Sequence, residues 1–142
     1  MKAITLWQPW ASLIAIGAKK YETRSWPTNY RGLLAIHAAA KAPKTEMELC
    51  EIEPFKSSLR RAGIISANEL PLGSVIAIAN LVDCIYISKE FIKAILDTVE
   101  YGFGDYEISR YAWKLEGVRP INPIPAKGMQ RIWEWMDANN NN

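Results

Sequence analysis

Residues 73–87 restrict the fold more than any other stretch of this sequence. Val75, Ile76, Ala77, Ile78, Ala79, Leu81, Val82, Ile85 and Tyr86 make an almost unbroken apolar run in which Asp83 is the one acid. A strand that is apolar toward both sides must be covered on both, so the run reads as a central strand, bent near Asn80. A chain of 142 residues can bury a core around such a strand in one domain without disulfides. We expect that domain to cover residues 1–138, with the Asn run at 139–142 a disordered tail.

The other elements follow from shorter signals. Ala3 to Leu6 reads as a strand, and Trp10 to Ile16 as a short helix with Pro9 at its start and Gly17 at its end. Leu33 to Ala40 reads as a buried strand, Leu34, Ile36 and Ala38 alternating with Leu33, Ala35 and His37. Residues 42–63 are helical in pattern, divided by Pro54 and closed by Gly63, with Thr45 and Glu48 spaced for a capping box. Ser88 is placed to cap a further helix through Phe91, Ile92 and Ile95. Residues 102–106 read as loop, Tyr111 to Glu116 as a strand, Val118 to Pro125 as an extended crossing, and Ile132 to Trp135 as a short edge strand. Five or six strands with two or three inserted helices, and no βαβ rhythm, point to an α+β domain, mainly β, closed as a small barrel.

The chemistry is concentrated in residues 17–26. There Lys19, Lys20, Glu22 and Arg24 are interleaved with Tyr21, Thr23, Ser25 and Trp26 behind Gly17. Thr, Tyr and Trp among the charges favour a strand. On a strand Lys20, Glu22, Arg24 and Trp26 share one face and Tyr21, Thr23 and Ser25 the other. Lys19, in the turn, can reach the face of Glu22 and Arg24. These charges are either a solvated edge that guards against unwanted pairing or a polar binding platform.

Trp7 and Trp10 are either core indoles or walls of a site. His37, the only histidine, is either a satisfied core residue or a ligand contact near Lys41. Residues 1–44 hold seven Lys or Arg against the single Glu22, which points to an anionic partner. Residues 45–107 are acidic, and Glu46, Glu48, Glu51 and Glu53 read as a solvated face. Cys50 and Cys84, two distant thiols, suggest a reducing, cytoplasmic setting and no zinc site. No signal peptide, no membrane span, no phosphate-cradling glycine loop, no metal and no cofactor are expected.

Leu6-Trp7-Gln8-Pro9-Trp10-Ala11-Ser12-Leu13-Ile14, then Gly17-x-Lys19-x-x-Glu22-x-Arg24-Ser25-Trp26, Tyr30-Arg31-Gly32 and Ile36-His37-Ala38 resemble the ASCH domain, a family named after a transcription coactivator. Asp83-Cys84 and Pro125-x-Lys127-Gly128 with Trp133 extend the resemblance. It implies a PUA-like β-barrel of five or six strands with flanking helices, and a cleft in which the Gly17–Arg24 motif faces a nucleic acid or nucleoside. RNA is favoured over DNA.

The residue types suit that role. Arg24 offers a planar fork, Lys19 a mobile charge, and Glu22 an acceptor for an exocyclic amine. Trp7, Trp10, Trp26 and Tyr30 offer rings for an unpaired base, at about 1–3 kcal/mol per base. Arg31, His37 and Lys41 are further candidate contacts. Some PUA-like relatives of ASCH are amidohydrolases acting on 4-acetylcytidine and others are ribonucleases, so the resemblance also admits a small hydrolase using Lys19 and Glu22. The amidohydrolases carry Thr where Glu22 stands here. A protein-interaction domain anchored by tryptophans is a third reading.

Overall fold

The computed structural model describes residues 1–136; the predicted tail at 139–142 lies outside the described residues. Six strands form one sheet: β1 (Lys2–Leu6), β2 (Tyr21–Arg24), β3 (Gly32–Ala38), β4 (Ser74–Tyr86), β5 (Tyr111–Pro125) and β6 (Trp133–Glu134). Their order is β2-β5-β4-β3-β1-β6, with β1 and β3 parallel and every other pair antiparallel. β4 is the continuous apolar run, and it lies inside the sheet between β5 and β3. Register shifts fall at Val75/Ala77, Ile78/Asn80 and Leu81/Asp83, so the strand bends about Asn80. Each shift adds twist, and the long β4–β5 ribbon curls.

β5 is longer than expected. The extended crossing from Val118 joins Tyr111–Glu116 through Gly117, at φ +59°, to make a single strand of 15 residues. Pairing with β2 covers only Tyr111–Lys114. Beyond it β5 runs as an edge, where Pro120, Pro123 and Pro125 are tolerated.

The helices α1 (Trp10–Ala15), α2 (Lys44–Glu48), α3 (Phe55–Arg61), α4 (Lys89–Ile95) and α5 (Val99–Phe103) fill the connections. α1 lays Ala11, Ile14 and Ala15 against Leu34, Ile36, Leu81 and Trp113 on one face of the sheet. Its outer side packs on Phe55, Leu59 and Phe103. The opposite face has a smaller core of Ala3, Ala35, Val75, Trp133 and Trp135. The Ser88 hydroxyl accepts from Phe91 N–H at 3.1 Å and starts α4. Thr45 does not cap, because Pro43 occupies the N-cap of α2; the capping box is at Ser66 and Glu69. Gly102 and Phe103, expected in a loop, are helical in α5.

The sheet is curled but open, which corrects the expected barrel. Arg24 Nη2 in β2 donates to Thr5 O in β1 at 2.9 Å, although three strands separate these two in the sheet. A side chain spans the gap, not a backbone ladder. Closure is opposed from both sides: β6 pairs with Lys2 and Ala3 of β1, and the outward backbone of β2 is already occupied. Tyr21 O accepts from Lys19 Nζ, Thr23 N–H donates to Glu22 Oε1 at 3.2 Å, and Thr23 O accepts from Arg110 Nη2 at 3.3 Å. β6, at the other edge, has only two residues. Among the described residues no helix is long and apolar enough to cross a membrane.

Candidate functional site

A cleft of about 390 Å³ opens in the gap between β1 and β2. β1 and the start of α1 contribute Thr5, Leu6, Trp7 and Trp10; β2 contributes Glu22, Thr23 and Arg24; Lys19, Gly104, Asp105 and Arg110 complete it. The delivery of Lys19 is a matter of helix termination. Gly17, at φ +80°, donates to Ile14 O, and Ala18 N–H returns to Leu13 O, the paired bonds of a glycine-closed helix end. That turn sends Lys19 inward, where it is 1% exposed.

Lys19 meets a carboxylate that the sequence reading had not singled out. Its ammonium donates to Tyr21 O and to Glu100 Oε2 at 3.3 Å, and lies 5.4 Å from the Tyr106 ring centroid. Tyr106 O–H donates to the same Glu100 oxygen at 2.6 Å, while Lys20 N–H donates to Glu100 Oε1 at 2.6 Å. Burial, with the Glu100 charge beside it, pushes the Tyr106 phenol far above its ordinary value, so it stays a donor. Gly104 passes so close that an added Cβ would lie 2.8 Å from Tyr106 Cε2 and 3.1 Å from Lys19 Nζ.

Glu22 and Arg24 share a face, as strand alternation requires, and pair at 3.0 Å with side chains 14% and 21% exposed. Arg110 approaches Asp105 at 3.4 Å, with side chains 27% and 52% exposed. The cleft region thus contains three cations, each facing one carboxylate. Trp7 is 47% exposed at the rim. Trp10 is more enclosed: its indole N–H donates to Phe103 O and its ring meets Phe55 edge-on at 6.3 Å.

The other candidates lie outside the cleft lining. Trp26 packs edge-on against Trp113 at 4.8 Å, with Arg131 over its ring at 5.0 Å. Tyr30 donates its hydroxyl to Leu33 O, and Arg31 bonds Thr28 O and Tyr30 O, both at 2.9 Å. Lys20 turns back to Gly17 O, and Lys41 is exposed.

His37 points to the opposite face of the sheet and is 1% exposed. Its Nε2–H donates to Ala126 O at 2.7 Å, which leaves Nδ1 to accept from the Thr5 hydroxyl at 3.2 Å; Thr5 in turn accepts from Trp133 Nε1–H at 3.1 Å. Every polar atom in that chain is satisfied within the core.

Four of the seven cations in residues 1–44 face carboxylates. Lys2 pairs with Glu134 at 2.6 Å, Lys19 with Glu100, Arg24 with Glu22, and Arg31 approaches Asp83 at 3.9 Å. Among the described residues no three His, Cys, Asp or Glu side chains gather to hold a metal ion.

An open, curled mixed sheet with helices packed on both faces and a polar cleft at its gap defines a small α+β domain. The ASCH domain family model matches residues 4–125, and the chain belongs to that family. Over 132 residues it is 38% identical to activating signal cointegrator 1 of Homo sapiens and 37% identical to that of Mus musculus. Each match covers 92% of this chain but 22% of the relative, so the chain spans about a fifth of those proteins' length. The crystal structure of ASCH from Zymomonas mobilis shares the fold with a TM-score of 0.58 at 18% identity, covering 97% of this chain and 88% of that one.

Proposed function

We propose that the domain binds nucleic acid in the cleft between β1 and β2, RNA in preference to DNA, by taking an unpaired or modified base into it. One observation carries this reading: a single hollow brings together two carboxylates, two guanidinium groups and a half-exposed indole. A splayed base offers a π-face for Trp7 and an edge for Glu22 and Arg24. Because each cation in the cleft region already faces a carboxylate, recognition by edge and ring carries more weight here than a bulk positive field. A reducing, cytoplasmic setting belongs to the same reading and is supported by two free thiols, Cys50 and Cys84.

Single-stranded RNA and DNA of matched sequence, titrated at two salt concentrations against wild type, Trp7→Ala and Arg24→Ala, provide the test. Each substitution is expected to weaken RNA binding by about tenfold or more, in line with a lost stack or a lost charged hydrogen bond. Unchanged affinity in both variants ends the proposal. Hydrolysis is less well supported. The Lys19 ammonium is held by Glu100 and the Tyr21 carbonyl, buried and away from any open position for a nucleophile. Turnover of 4-acetylcytidine or RNA that disappears in Glu22→Gln would reverse that ranking.

A further inference from the structure

The three carboxylates that face the cleft cations are not equivalent. Glu100 is 10% exposed and accepts three hydrogen bonds, and Glu22 is 14% exposed and bonded to its own strand. Asp105 is 52% exposed, and its contact with Arg110 Nε at 3.4 Å lacks hydrogen-bond geometry, since that N–H is buried without a partner. An ion pair this exposed contributes little, whereas an unpaired buried guanidinium N–H is costly. Arg110 therefore has a weak counter-ion and an unmet donor on the same side. Its guanidinium donates to Thr23 O at 3.3 Å, which fixes it beside the strand that presents Arg24, whose Nε is also buried without a partner.

From this we infer that Arg110 is a phosphate subsite of the cleft, assisted by Arg24, and that Asp105 is a displaceable stand-in for the phosphate of a bound nucleotide. This rests on the nucleic-acid reading above and adds which atoms of the ligand are bound where: the base between Trp7 and Glu22, the phosphate on the Arg110 side. Asp105 swings toward solvent as the phosphate oxygens take the position it leaves, so the planar Nε–Nη edge of Arg110 gains an acceptor of the right charge. No covalent step is involved.

The test is competition for a labelled single-stranded RNA octamer by cytidine, adenosine, their 5′- and 3′-monophosphates, and inorganic phosphate. On wild type the monophosphates are expected to compete about tenfold better than the nucleosides. Arg110→Gln is expected to erase most of that advantage by weakening the monophosphates more than the nucleosides, and it lowers the salt slope of octamer binding by about 0.7. Asp105→Asn enlarges the advantage by up to about fivefold, a gain that misfolding cannot produce. Arg110→Lys, which keeps the charge but not the fork, falls between. Octamer binding with no preference for monophosphates overturns this inference and leaves the nucleic-acid reading standing. Loss of the preference in Arg24→Ala but not in Arg110→Gln also overturns it. Failure of the octamer to bind removes both.

Discussion

Lys19 illustrates how differently a residue reads in sequence and in space. In the sequence it is one of several charges on a polar stretch; in the fold it is a buried cation whose partner, Glu100, lies 81 residues away. Lys19→Met strands a buried carboxylate, and we expect a loss of about 3–5 kcal/mol in urea unfolding. Adding Glu100→Gln should recover part of it, which a double-mutant cycle would measure as coupling. Tyr106 carries a pH signature. Its phenol is held neutral in the fold but ionises in the unfolded chain near pH 10, so the unfolded state binds fewer protons above that pH. Stability is full below the unfolded value and falls as pH rises beyond it. Tyr106→Phe should cost about 1–2 kcal/mol at neutral pH and flatten that alkaline decline, which thermal melts from pH 8 to 11 would reveal. The shared face of Glu22 and Arg24 was legible in advance, because strand alternation is local. Glu100, Asp105 and Arg110 were not, because no local periodicity ties them to residues 17–26 and only tertiary packing brings them to β2. The one available hint was physical: a lysine that turns inward needs a carboxylate.

At the level of elements, β2 is an edge strand whose outward hydrogen-bonding groups are taken up by side chains. Lys19 takes Tyr21 O, Glu22 takes Thr23 N–H and Arg110 takes Thr23 O. This protects an otherwise exposed template from pairing with another chain. Gly128 and Gly104 sit at close approaches between neighbouring elements. A Cβ on Gly128 would lie 2.6 Å from His37 Cε1 and 2.7 Å from Thr5 Oγ1. Gly128→Ala, with three atoms within 2.7 Å, should therefore cost more than Gly104→Ala, where only Tyr106 Cε2, at 2.8 Å, lies within 3 Å. Overpacking of this kind costs about 1–3 kcal/mol, and the order of the two melting temperatures is the check. Gln8 was overlooked as a structural residue. Its buried amide accepts from Ser12 N–H at 2.9 Å and donates to Ser12 Oγ and Pro71 O, so it caps α1 and ties it to the loop before β4.

For the molecule as a whole, hydrophobic patterning conveyed the β-rich character and the central place of β4, since both depend on which residues must leave water. It did not convey closure. Whether the sheet meets itself depends on bulges in the β4–β5 ribbon, on which strand takes the flank of β1 and on three side chains along β2, none of which changes the apolar pattern. A fully zipped cylinder built from the same strands would be better hydrogen-bonded and would have no mouth. Substitutions that free the facing flanks of β1 and β2 to join would be expected to yield a sturdier protein that no longer accepts a guest, so selecting variants for heat resistance alone would tend to silence this domain.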